Sequence, residues 1–540
     1  MWDGGGEGVM AERYWDRNGG EGPWDVIVVG SGIGGMTCAA MLASWGQKVL
    51  VLEQHYTPGG FTHAFRRKRW SWDVGVHAVG EVDERAMPGR LLSRLTQGRL
   101  KWTSLGPVYD SFHFPEGLDI AFPDDKATFR ANLVAAFPNE VEAIDRYLAL
   151  VREVGQSMRG YYLSRVAPPG LRRVTRRLMA GPAEKWLARR TADVIAELTD
   201  DPRLRTVLAA QWGYYGSVPS RSSFAMQALV VRHFWHGGYY PVGGSGEIAT
   251  QLLRTVAEAG GWTRVYADVD QILVERGRAV GVRMKDGEEI RAPRVVSAAG
   301  VMSTVGRLLP EDARGPWTRE VQQLRPASAH VCLYLGFEGD IRSAGASSAN
   351  EWFWSTWDCE IDAWDITAEP LGAAPILYCS FPSLKDPEHD PGPDQLHTGE
   401  VVTFVPWSVF EPWVGTRWKK RGADYDALKK RLEDALLAQF LERMPGLRPM
   451  LKHVELSTPV STEHFTRPMH GSIYGIEPTP ERFATDGLKP RSPIPGLFFA
   501  GSEVSTVGVV GAMMGGVLAA VAMEPLKGMQ ELSKVQGGPR

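Results

Sequence analysis

The strongest constraint on what this chain can fold into is one early run, WDVIVVGSGIGGMTCAAMLASWGQKVLVLEQ. VIVVG is a short apolar segment rich in β-branched residues, GSGIGG a turn, residues 36–44 a helix of small side chains and KVLVLE a second strand. Two short apolar strands joined through a helix predict a βαβ unit with parallel strands. Gly30, Gly32 and Gly35 form G-x-G-x-x-G where the first strand passes into the helix. The first glycine permits the tight turn, the second lets backbone approach a pyrophosphate, and the third lets helix and strand pack closely. Unpaired N–H groups at the helix start then face the phosphates. Glu53 ends the second strand, where its carboxylate is placed to accept hydrogen bonds from an adenosine ribose. A glycine turn used only for packing would leave Glu53 unexplained, so the reading is a dinucleotide site.

Two later segments read as parts of the same unit. Residues 264–300 alternate apolar and polar side chains with turns at Arg276-Gly277 and Asp286-Gly287, as an antiparallel meander does, and return to a buried strand at 295–298. PIPGLFFAGSEVSTVGVVGAMMGGVLAAVAM is again apolar strand, glycine-rich turn and small-residue helix. Residues 118–210 read mostly helical, whereas 329–406 hold the strand-like runs HVCLYLGF, PILYCSF and VVTFVPW. The expected architecture is α/β: a discontinuous, Rossmann-like dinucleotide-binding domain over 24–105, 236–325 and 460–530, with parallel sheet and antiparallel meander. A mixed α+β substrate domain over 106–235 and 326–459 is inserted into it, and residues 1–23 and 531–540 are expected as tails.

Charge and cysteines exclude several classes. Sixty Lys and Arg against sixty-three Asp and Glu give a net charge of -3, so no global field recruits nucleic acid. Cys38, Cys332, Cys359 and Cys379 have no C-x-x-C or metal-like spacing, which argues against a disulfide framework or a metal site and fits a reducing, cytoplasmic setting. The uncharged windows 26–47 and 504–523 are long enough to span a bilayer, but glycines break each where a strand would meet a helix. Residues 152–190 carry ten basic side chains against Glu153 and Glu184, interleaved with Tyr161, Tyr162, Leu163, Val174, Leu178 and Trp186. That pattern reads either as a peripheral membrane-surface element near a substrate entry or as a solvated arginine face.

After Glu53 the chain continues HYTPGGFTHAFRRKRWSWDVGVHAVG. This run resembles the flavin-binding opening of the phytoene desaturase, carotenoid isomerase and retinol saturase superfamily, in which a P-G-G turn follows the ribose-binding acidic residue; DVGVHAVG is nearer the retinol saturase branch. YYPVGGSGEIATQLLRTVAEAGG, VVSAAGVMST, FPSLKDPEHDPG, GSIYGIEPTP and PGLFFAGSEVSTVGVVGAMMGG resemble further blocks in the same order, although Gly300 stands where many members have Asp. The resemblance implies FAD as cofactor, a two-domain fold and a lipophilic polyene or isoprenoid substrate. It adds Gly59 and Gly60 to the cofactor-binding candidates, with Gly501, Glu503, Gly508 and Gly511 from the last block. A helix starting at 508–511 would oppose negative charge near flavin N1 and the C2 carbonyl, and Glu503 would accept from ribityl hydroxyls or serve only a helix approach.

The catalytic candidates are His77 and Tyr474. His77, read within a strand pair with Asp73 and Gly75, is placed to donate a proton or shape the flavin face, with a structural histidine as the alternative. Tyr474 faces the isoalloxazine edge or packs, and Tyr239 and Tyr240 pose the same choice. Trp352, Trp354, Trp357, Trp364, Trp407, Trp413 and Trp418 would suit an aromatic tunnel or a sheet core equally. The expected activity is saturase-like reduction of a C=C bond by hydride from flavin N5, with protonation by a protein acid or solvent. Desaturation with a quinone or dioxygen, cis–trans isomerisation, and a non-catalytic lipid escort are the rivals. No second G-x-G-x-x-G follows a strand, so NAD(P)H as external reductant, the electron partner and the oligomeric state stay open.

Overall fold

The computed structural model describes residues 14–166 and 172–536. Its first sheet has six strands in the spatial order Trp15–Asp16, Trp262–Arg264, Val49–Leu52, Val26–Val29, Val295–Ser297 and Leu497–Phe499. Every pairing in it is parallel, as the βαβ reading requires. Alternate residues face opposite layers: Val26, Val28, Val49 and Val51 meet the helices Ile33–Ser44, Gly246–Glu258 and Gly508–Met523. Ile27, Val29, Leu50 and Leu52 meet the antiparallel meander Val269–Glu275, Arg278–Met284 and Glu289–Arg291. Burial on both faces explains why these strands are uninterrupted apolar runs.

Helices Ile33–Ser44 and Gly508–Met523 lie side by side because glycines remove the side chains between them. A Cβ on Gly34 would stand 2.6 Å from Gly501 Cα, and one on Gly516 would stand 2.1 Å from the Gly34 carbonyl oxygen. The two uncharged windows therefore form a strand–turn–helix and a 16-residue buried helix. No helix among the described residues is long and apolar enough to cross a membrane.

The second sheet is mixed, with seven strands in the order Leu451–Ser457, Ala329–Glu338, Leu396–Val405, Ile376–Ser380, Asn350–Trp354, Val108–Phe114 and Leu118–Pro123. Asn350–Trp354 pairs parallel with Val108–Phe114, and the remaining pairs are antiparallel. Helices that include Val141–Val166 and Phe224–His233 pack on one face, and the helix Ala423–Arg443 on the other.

Several expectations are corrected. Trp15–Asp16 is an edge strand tied down by Trp262 Nε1, which donates to Asp16 Oδ1 at 3.1 Å, so residues 14–23 are not tail; residues 1–13 lie outside the described ones. The tail expected from 531 is helical to 536 within Pro525–Gln536, with Glu531 paired to Arg94 and Val535 buried. Only Gly528, Glu531 and Val535 of this helix are buried, a signal weaker than the charged composition around them. Leu118–Pro123 is a strand at the start of the segment expected to be helical. His77 lies beyond the hairpin Ala64–Arg67 and Trp70–Asp73, not within it.

Candidate functional site

A cavity of about 1130 Å³ opens where the parallel sheet meets the second sheet, running from the glycine turn to an aromatic wall. At the turn, Gly30 has φ +94° and Gly32 a compact extended conformation that begins the helix Ile33–Ser44. A Cβ on Gly32 would meet no heavy atom within 4 Å, whereas one on Gly35 would stand 2.2 Å from the Gly30 carbonyl oxygen. Gly32 thus faces free space and Gly35 serves helix–strand packing. Gly59 and Gly60, with φ +124° and +56°, fold the P-G-G turn against Gly32, bridged as a short parallel pair between Gly32 and Gly59.

Glu53 is buried at the rim of this turn. Its Oε2 accepts from Ser31 N at 3.0 Å and Ser31 Oγ at 2.6 Å, and its Oε1 accepts from His55 N at 2.8 Å. Oε1 keeps capacity for a further donor. Ser31 Oγ also accepts from Gly59 N at 3.1 Å, so it joins acidic residue, glycine turn and P-G-G turn. Sequence reasoning passed over Ser31, although its place between Gly30 and Gly32 was visible.

At the other end, Gly501 and Gly508 have φ +102° and +81°, and a Cβ on either would meet nothing within 4 Å. The helix Gly508–Met523 starts here, like Ile33–Ser44, without a side chain capping its N-terminus. Two uncapped helix starts on one cavity leave N–H groups free to meet anionic ligand groups. Gly511 is a packing position, since its Cβ would lie 2.2 Å from the Thr506 carbonyl oxygen. Glu503 turns inward and its Oε2 accepts from Val301 N and from Met302 N at 3.0 Å, capping the short helix that follows Gly300. Burial lifts its pKa, with those N–H groups and Arg482 opposing. Gly300, with φ +85°, would place a Cβ 3.4 Å from Glu503 Oε1. The left-handed backbone and the neighbouring carboxyl together account for glycine in place of the acidic residue.

The far wall is aromatic. Tyr378 stands with its ring centroid 4.5 Å from Trp352, 5.3 Å from His77 and 6.0 Å from Tyr214. Tyr474 also lines the cavity, and its hydroxyl donates to the Gly213 carbonyl at 3.2 Å. Of the seven clustered tryptophans, only Trp352 lines the cavity; Trp354 and Trp364 belong to sheet cores. Tyr239 and Tyr240 point away to Asp83 and Asp73.

Behind His77 lies a buried polar group that sequence reasoning did not assemble. His77 Nδ1 is 2.9 Å from Glu400 Oε2, and burial, reinforced by Lys385, lowers the ring's pKa to about 3. Lys385 Nζ donates to Ser380 Oγ and to the His77 carbonyl, both at 2.7 Å, and to Asn350 Oδ1. Asn350 Nδ2 donates to Asp110 at 2.8 Å, and Tyr214 donates to both Asp110 oxygens at 2.7 and 2.9 Å. The available signal was one acid in each of two strand-forming runs, VYDSFHF and HTGEVVTFV.

The residues present fit a dinucleotide, with one helix start for its pyrophosphate and a second for charge at its other end, and the cavity beyond them makes this a flavoprotein of the FAD-dependent oxidoreductase type. The chain belongs to the flavin containing amine oxidoreductase family, whose profile matches residues 33–523. It is 31% identical to an all-trans-retinol 13,14-reductase of Danio rerio over 91% of this chain and 84% of that one. An inactive all-trans-retinol 13,14-reductase of the same organism is 30% identical over 92% and 85%. A chloroplastic prolycopene isomerase of Daucus carota is 26% identical over 95% and 82%. Among solved structures, putrescine oxidase bound to putrescine superposes with a TM-score of 0.61 at 15% identity, covering 93% of this chain and 99% of that one, which supports the fold.

Proposed function

We propose that this protein reduces a carbon–carbon double bond of a lipophilic polyene or isoprenoid, in the manner of a retinol saturase. The observation that carries the reading is one continuous cavity joining the glycine cradle to an aromatic wall. Similarity to all-trans-retinol 13,14-reductase over most of both chains supports it. Bound FAD supplies hydride exchange with carbon. Gly30, Gly32, Gly59 and Gly60 let backbone approach the pyrophosphate, Glu53 holds the ribose, and the helix starts at Gly32 and Gly508 face the anionic groups. Gly35, Gly511 and Glu503 act indirectly, by holding these turns in shape. Trp352, Tyr378 and Phe404 shape the substrate end and exclude water, with Tyr474 fixed to the backbone as wall.

The substrate enters from a membrane surface. Val174 and Leu178 are exposed, Leu178 at 76%, in the stretch that follows the helix Val141–Val166, whose Arg159 and Tyr162 line the cavity. Leu526, 83% exposed, lies on the terminal helix, which Arg159 joins by donating to Gln536 Oε1 at 3.0 Å. Arg176, Arg189 and Arg190 are already paired with Glu184, Glu197 and Glu481, so apolar contact carries much of the docking.

Incubating holoprotein, reduced in one arm and oxidised in the other, with all-trans-retinol and with a carotenoid, followed by mass analysis, tests the reading. A product two hydrogens heavier supports it, and one two hydrogens lighter replaces it with desaturation. Similarity to prolycopene isomerase supports a second reading, isomerisation, which an altered retention time at unchanged mass would establish. Unchanged substrates would refute all three.

A further inference from the structure

We propose that Glu400 stores the proton taken up by the reduced double bond and passes it through His77, with Lys385 held behind them as counter-charge; this deepens the reductive reading and rests on it. Glu400 lies on the central strand Leu396–Val405 with its side chain wholly buried. One oxygen accepts from Asp73 N at 3.0 Å, and the other stands 2.9 Å from His77 Nδ1. Neither His77 Nδ1 nor Glu400 Oε2 has another hydrogen-bond partner, and the contact between them is imperfectly aligned, as catalytic contacts without substrate often are. Two lone-pair atoms this close need one proton between them.

The surroundings decide which atom carries it. Burial raises the Glu400 pKa well above the carboxyl range and lowers that of His77, so the proton belongs on the carboxyl and Nδ1 is the acceptor. Neutral imidazole then carries its hydrogen on Nε2. Nδ1 is sealed, and the 13% of the side chain left exposed opens on the cavity. Lys385 fixes the His77 backbone through its carbonyl and makes no ion pair among the described residues. A buried ammonium without a carboxylate in contact is costly unless charge appears nearby. Charge does appear there once Glu400 gives up its proton. The other groups facing Glu400 are committed or uncharged. Asp73 accepts from Ser245 and Tyr240, Asp110 from Tyr214 and Asn350, and Tyr334, Tyr378 and Cys332 are held neutral by burial.

The step balances. One carbon of the double bond takes a hydride from the reduced cofactor. Its neighbour bonds the proton leaving His77 Nε2, while Nδ1 takes the proton leaving Glu400. Negative charge rests on the Glu400 carboxylate beside Lys385 until solvent restores the proton. His77 is the catalytic residue, and Glu400 and Lys385 are positioning residues acting through it.

The test uses holoprotein at pH 7. Infrared spectra of wild type and Glu400→Gln, in H2O and D2O, should differ by one protonated carboxyl band, and no lost band overturns the proposal. Should Glu400→Gln fail to fold, nitrogen-15 histidine NMR of the wild type, with His77→Gln for assignment, reads the same point; a hydrogen on Nδ1 overturns it. Glu400→Gln should also slow polyene-dependent reoxidation by roughly 10²–10⁴-fold at unchanged FAD content. A wild-type rate in that variant overturns the relay. Wild type that no polyene reoxidises sinks the functional reading instead, while the spectra still locate the proton.

Discussion

Replacing Gly32 and Gly35 separately by alanine distinguishes a ligand-facing glycine from a packing glycine three residues away. Gly32 has φ -60° and open space around the added Cβ, so alanine fits the protein without strain. Restricting the unfolded chain would stabilise apoprotein by about 0.4–1 kcal/mol. The same methyl intrudes on the pyrophosphate path, and FAD affinity should fall by at least about tenfold, or roughly 1.4 kcal/mol. At Gly35 the added Cβ would lie 2.2 Å from the Gly30 carbonyl oxygen, against roughly 3.5–4.0 Å for a comfortable contact, so helix and strand must separate. The cost is about 1–3 kcal/mol, typical of overpacking a close contact. Flavin absorbance after desalting measures occupancy, and urea unfolding of apoprotein measures stability. If Gly32→Ala retains wild-type flavin, or Gly35→Ala unfolds at the wild-type midpoint, the division of labour argued from the two Cβ positions is wrong.

Three further outcomes follow from the same geometry. Glu53→Lys should strand the Ser31 and His55 N–H groups at about 1–3 kcal/mol each and empty the ribose site, so purified protein should be colourless; normal flavin content would misplace the site. Leu178→Asp, at an exposed position, should leave the unfolding midpoint unchanged and reduce cosedimentation with anionic liposomes; equal sedimentation would move the docking face elsewhere. Burial raises the Asp110 pKa from 3.8 to about 7, so the folded state holds a proton that the unfolded chain releases, and this contribution is lost as pH rises across that window. His77, lowered to about 3, acts oppositely, so the readout is a difference between proteins: Asp110→Asn should flatten the fall in melting temperature between pH 4 and pH 7, and parallel curves for variant and wild type would refute the shift.

What was legible in the chain is what depends on neighbours along it. The βαβ turn at Gly30, Gly32 and Gly35, the meander turns and the second glycine turn before Gly508 are set by local backbone geometry and by strands buried on both faces, and both leave their mark in a few consecutive residues. Pairings over distance left no such mark. Gly34 and Gly516 look like any small helical residues until the two helices touch. Glu503 reads as a candidate ligand contact, and only the fold turns it onto the N–H groups of Val301 and Met302. Asp73 and Glu400 are 327 positions apart, yet the one donates its N–H to the other because Trp70–Asp73 lies against Leu396–Val405. An acid on an alternating strand reads as the solvent face. The second sheet and its helices bury both faces of these strands, so Asp110 and Glu400 are taken out of water and meet partners within the fold, Tyr214 and Asn350 for the one, Asp73 N and His77 for the other.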